Sequence, residues 1–107
     1  NKPLRFAEPI IKNEPTFKNC STLICPDHLN TIKPNPEGIL KGCKDLGIHP
    51  ADCVYIGDHI KDLEAGINAG TQVIACYFGY SLEPLDHDEL IAGASHPSDL
   101  TSLIQAL

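Results

Sequence analysis

Apolar residues along the chain occur in two kinds of run. In "CVYIG", residues 53–57, and "QVIACYF", residues 72–78, they are nearly continuous, as expected of strands buried on both faces of a sheet. Elsewhere they recur at helical spacing. Ile39, Leu40, Cys43 and Leu46 form one stripe, in a helix that Asn35 can cap, Pro36 can open and Gly47 can stop. Residues 59–69 predict a second helix closed by Gly70. Leu4, Ala7, Ile10 and Ile11 predict a helix near the start, with Pro3 suited to a first turn and Pro9 to a kink. Leu100, Leu103, Ile104 and Leu107 line one side of a last helix from about Ser98, a packing face rather than a membrane anchor. "STLIC", residues 21–25, is β-rich and predicts a short strand running into the proline-stiffened loop "PDHLNTIKPNP".

The resulting order is strand, helix, strand, helix, strand. Such alternation predicts an α/β fold, a parallel sheet with helical crossovers on its faces. With 107 residues there is room for one domain. The segment "LDHDELIAGASHP", residues 85–97, reads as an acidic segment before the last helix.

Charge and cysteine usage narrow the class. A formal net charge of −6 provides no broad basic field, which disfavours binding to nucleic acid or to an anionic membrane. No run is long enough to span a bilayer, and "NKPLRFAEP" has no secretory-signal pattern, so a cytoplasmic location is expected. The five cysteines are scattered and never form C-x-x-C, which fits reduced thiols serving partly as small core residues. The chain contains no methionine, and Asn1 is not a residue that favours removal of an initiator, so these residues are expected to belong to a longer protein.

The chemistry gathers after "CVYIG". Asp58 falls where that strand ends, and in open parallel sheets ligands collect at such carboxyl ends. Asp62 follows one helical turn later on the same side, so the two carboxylates can converge. A hard divalent cation such as Mg²⁺ would relieve their repulsion and leave room for a phosphate. The plainer alternative is that Asp58 caps a helix and Asp62 is a solvated charge balanced by Lys61. Lys33, in "TIKPNPEG", sits in a loop expected at the same rim, where an ammonium would suit a phosphate dianion. Cys25 and His28, in "CPDH", have metal-like spacing, but a single such pair does not make a zinc site.

Together these residues carry a resemblance. Lys33 before "PNPE", followed by "VYIGDHIKDLEAGINAG", resembles motifs three and four of the haloacid dehalogenase superfamily of phosphotransferases. The likeness runs along nearly the whole chain: "NKPLRF" is similar to the segment after motif two, and "YFGY" to the segment after the next strand. It is closest to the phosphoglycolate phosphatase-like branch, while "CPDHLNTIKPNPE" is similar to the loop of N-acetylmuramate 6-phosphate phosphatases.

The resemblance implies a Rossmann-like three-layer core with sheet order 3-2-1-4-5, of which residues 1–107 would be the carboxyl-terminal part, supplying strands 3, 4 and 5. It implies that Asp58 binds Mg²⁺ and that Asp62 steadies the site through water or Lys33. Lys33 would neutralise charge on nucleophile and phosphate, and Asn1 would lie beside the phosphate-binding Ser or Thr of motif two. The activity implied is hydrolysis of a small phosphorylated metabolite through an aspartyl-phosphate. The cap and the Asp-x-Asp-Gly-Thr of motif one, which would supply the nucleophile, are absent from these residues. At about 4.8 Å per strand, the missing strands would leave a gap of roughly 14 Å. That gap could be filled by another polypeptide, by a second copy exchanging elements in a homo-oligomer, or by residues 21–25 pairing beside residues 53–57. A non-catalytic assembly module is the rival reading. A flavodoxin-like phosphoacceptor domain is a further one, but it would need an acidic pair on early strands that the sequence does not offer.

Overall fold

The computed structural model describes residues 2–79 and 90–107. Among these residues three strands, β1 (Val54–Gly57), β2 (Gln72–Cys76) and β3 (Leu90–Ala94), form one parallel sheet in the order β1-β2-β3. Val54 lies opposite Gln72 and Gly57 opposite Ala75, while the β2–β3 register shifts between Val73 and Ile74. Among the described residues four α-helices accompany it: α1 (Leu4–Asn13), α2 (Glu37–Leu46), α3 (Ile60–Ala69) and α4 (Asp99–Gln105).

The central strand explains the core. β2 has neighbours on both edges, and its Val73, Ile74 and Ala75 are wholly buried. Leu63 of α3 packs against Val73 and Ala75, with Ile67 and Tyr77 closing the cluster. Because α3 connects β1 to β2, burying its Leu63 face also fixes its first turn over the end of β1.

Helix boundaries follow the capping chemistry. The Asn35 side chain accepts a hydrogen bond from the Glu37 amide at 3.0 Å, so α2 begins just after Pro36. Gly47 (φ 66°) and Gly70 (φ 80°) take the left-handed conformation that ends α2 and α3. At α1 the cap is tertiary: the Leu4 amide donates to Asp27 Oδ1 at 2.7 Å, tying the helix to the turn at Pro26–His28. All five cysteines are free, and Cys25, Cys43 and Cys76 are buried. Among the described residues no helix is long and apolar enough to cross a membrane.

Two strand expectations are corrected. Residues 21–25 form no strand and do not pair beside β1. Strand geometry needs a ladder partner, and a cavity of 390 Å³ lies between this segment and β1, with Ile24, Cys25, Leu29, Ile39, Val54 and Tyr55 in its wall. Conversely, the acidic segment, for which the sequence predicts no strand, contains β3. Its Ala and Gly residues have little intrinsic strand preference, and pairing with β2 imposes the extended form. Gly93 is needed there because the ring of Tyr77 fills its side-chain space.

Candidate active site

β1 ends at Gly57, the chain continues through Asp58 and His59, and α3 starts at Ile60. A β-carbon on Gly57 would collide with the side chain of Asp62, so the glycine lets the first turn of α3 sit directly over the strand end. The helix is capped by His59, whose Nδ1 accepts from the Lys61 amide at 3.1 Å, while Asp62 Oδ2 accepts from the His59 amide at 3.2 Å. Asp58 is therefore not the cap, and the plainer alternative for that residue is corrected.

Lys33 arrives from the loop before α2. Its ammonium meets Asp62 Oδ1 at 2.5 Å, with the lysine side chain 31% and the aspartate side chain 12% exposed. The loop is held from both sides. Glu37 accepts from the Asn30 amide at 2.6 Å and from Thr31 Oγ1 at 3.1 Å. Asn68 of α3 donates to the Pro34 carbonyl at 3.3 Å, beside a cis Lys33–Pro34 peptide. Asp62 is thus also not a solvated charge balanced by Lys61.

Lys33, Asp58, His59, Lys61 and Asp62 line a cleft of 360 Å³. On the far side of Asp58, the turn after β2 approaches so closely that a β-carbon on Gly79 would overlap the carboxylate. The buried thiol of Cys76 feels the same group: burial pushes its pKa up and the charge of Asp58 adds to the rise.

Electrostatics favour the ion pair. Burial alone would raise the Asp62 carboxyl, but the hydrogen bond and charge of Lys33, with the backbone amides of His59 and Asp58, hold it below the ordinary range. Burial likewise pulls Lys33 down. Its hydrogen bond to Asp62 and the negative charges around it outweigh that and leave it above an ordinary lysine. Tyr55, beside this pair in β1, is raised chiefly by burial.

The structure therefore brings Lys33, Asp58 and Asp62 to one rim. Asn1 lies outside the described residues. Cys25 and His28 are engaged locally, the His28 Nδ1 accepting from the Cys25 amide at 3.0 Å, and no cluster of three or more His, Cys, Asp or Glu able to hold a metal occurs among the described residues. Sequence reasoning missed His59 and Gly79. A His before "IKD" is a weak cap signal, and nothing local announces that Gly79 lies against Asp58.

The model of the haloacid dehalogenase-like hydrolase family matches residues 7–76. The chain belongs to that family. Within the haloacid dehalogenase-like hydrolases, N-acetylmuramic acid 6-phosphate phosphatase of Pseudomonas putida is 38% identical over 99% of the chain, which covers 48% of that relative. Phosphoglycolate phosphatase of Psychrobacter arcticus is 38% identical over 76% of the chain and is covered to 35%. A haloacid dehalogenase superfamily hydrolase from Ehrlichia chaffeensis shares the fold over 97% of the chain and 46% of its own length, with a TM-score of 0.73 at 21% identity. The chain spans about half the length of the curated relatives that it matches from end to end. The Rossmann-like parallel core of the family is thus present in part.

Proposed function

We propose that this chain supplies the lysine and carboxylate side of the active site of a phosphomonoester hydrolase, acting in the cytoplasm on a small phosphorylated metabolite. The observation that carries the reading is the Lys33–Asp62 ion pair at the rim of a cleft that also presents Asp58. A phosphoryl group seated there meets an ammonium already aimed by Asp62 and by the tied loop, so little reorganisation is needed as charge develops.

The donor set suits Mg²⁺. Mg²⁺ is typically held by one or two carboxylates and keeps several waters beside substrate oxygens. Asp58, which lines the cleft, is the carboxylate proposed to hold it, and Asp62 holds Lys33 and the His59 amide. The ion would neutralise charge on the phosphate oxygens. Lys33 binds the phosphate and offsets the charge of the attacking carboxylate, and Asp62 keeps the lysine in place. The nucleophile, whose attack would give an aspartyl-phosphate that water then cleaves, is proposed to come from a motif-one segment outside these residues. Of the two substrate classes, N-acetylmuramate 6-phosphate is favoured over phosphoglycolate, because the relative with that name matches the chain nearly from end to end.

The test is turnover of both esters with Mg²⁺ by protein that also carries the motif-one segment, compared with Lys33→Ala. Loss of turnover with an unchanged circular dichroism spectrum is expected. Near-normal turnover in the variant rejects the assignment.

One observation favours the second reading, a non-catalytic assembly module. Among the described residues β1 is paired on one edge alone, and the 390 Å³ apolar cavity lies beside its other edge. Light scattering that finds a compact monomer across a wide concentration range would remove it.

A further inference from the structure

Cys43, in the last turn of α2, and Cys53, just before β1, bring their Sγ atoms to 3.5 Å. The approach does not belong to a loose loop. The Cys43 carbonyl accepts from the Ile48 amide at 3.0 Å across the left-handed stop at Gly47. The Cys53 amide donates to the Pro50 carbonyl and its carbonyl accepts from the Gln72 amide, each at 3.0 Å, where β2 begins. The Cys53 thiol also reaches the His49 carbonyl at 3.6 Å. Both backbones are therefore pinned. Exposure divides the two: Cys43 is 6% exposed, whereas Cys53 is partly open to solvent.

We propose that Cys43 and Cys53 form a reversible redox-modification site, closed to an intramolecular disulfide by hydroperoxides and reopened by dithiol reductants. Cys53, the accessible partner, attacks the peroxide O–O bond. Its sulfur becomes a sulfenic acid, and the other oxygen leaves with a proton as water or an alcohol. The Cys43 sulfur then attacks the Cys53 sulfur, the S–O bond breaks, water leaves with the Cys43 proton, and the S–S bond forms. The two thiols lose two electrons and the hydroperoxide gains them. Bond formation requires the 3.5 Å gap to close to about 2 Å. Burial, with the hydrogen bond to Cys53, pushes the Cys43 thiol up in pKa, which keeps it inert to reagents in solution, so its part in the bridge rests on its closeness to Cys53. The bridge would fasten the end of α2 to the entry of β1, the two elements that carry the approaches to Lys33 and Asp58. None of this depends on the phosphatase reading.

The chain, on a Cys20→Ser background that removes the exposed thiol at that position, is treated with hydrogen peroxide, alkylated and weighed intact. Expected are a loss of 2 Da relative to the alkylation-corrected reduced form, two fewer alkylatable thiols, a peptide joining Cys43 to Cys53, and full reversal by dithiothreitol. Cys53→Ser and Cys43→Ser should each abolish the loss. Cys53→Ser carries the test if the buried Cys43→Ser variant fails to fold. The proposal is overturned by an undiminished thiol count at peroxide doses that fully oxidise Cys20 in the parent chain, by a bridge between other cysteines, or by a 2 Da loss that persists in Cys53→Ser.

Discussion

Asp62 fills the space that a side chain on Gly57 would need. The strand end and the helix start are therefore fitted to each other through a missing methyl group. Gly57→Ala should force the aspartate away from Lys33 and cost about 1–3 kcal/mol, the usual range for overpacking a close contact. Urea unfolding measures this. A variant as stable as the parent would mean that the first turn of α3 can slide.

The Lys33–Asp62 pair is mostly but not wholly buried, between the regimes where ion pairs contribute almost nothing and where breaking them is severe. Lys33→Met, which keeps the aliphatic stem, should cost about 1–3 kcal/mol by leaving the Asp62 carboxylate without its counter-charge. Lys33→Met combined with Asp62→Leu should cost less than the sum of the single changes. A double-mutant cycle by urea unfolding checks the coupling, and strict additivity would rule it out.

Stability should depend on pH at both ends of the scale. The Asp62 carboxyl titrates lower in the folded chain than in the unfolded chain, so its contribution is present above the ordinary value of 3.8 and lost as pH falls through the lowered one. Lys33 titrates higher when folded, so its contribution is present below 10.5 and lost as pH rises through the raised value. Thermal midpoints from pH 2 to 12 should show both flanks, and Asp62→Asn should flatten the pair's share of each.

Gly79→Ala should disturb the carboxylate of Asp58 while leaving the core intact, because the added carbon would point at that side chain. On the proposed function, Mg²⁺ affinity measured by calorimetry falls about tenfold, the lower end for loss of support around a ligand. Asp58→Asn serves as the reference, and unchanged affinity in Gly79→Ala would free the turn of any part in ion binding.

Leu63→Ala removes the largest wholly buried side chain of α3 and should cost about 2–5 kcal/mol in urea unfolding. The site would then loosen from beneath, since Leu63 adjoins Asp62 in the same helical turn.

The parts of this chain that were legible from sequence are those whose signals are local. Pro36 and Gly47 frame α2, Gly70 ends α3, and the run through Val73 and Ile74 marks the buried strand. The spacing of Asp58 and Asp62, with Lys33 in a preceding loop, is enough to expect three charges near one another. What escaped depends on partners distant in sequence. "LIAGA" becomes a strand only through β2, and "STLIC" fails to become one without a ladder neighbour. The ties from Asn68 to Pro34 and from Gly79 to Asp58 join loops to distant elements, and no short pattern encodes them.

One carboxylate of Asp62 serves two masters, taking the His59 amide on one oxygen and the Lys33 ammonium on the other. That sharing turns a backbone proton into a gauge. Whenever the lysine lets go and the aspartate swings out, the His59 amide loses its acceptor and exchanges with deuterated solvent, so its protection reports how firmly the cationic arm is anchored.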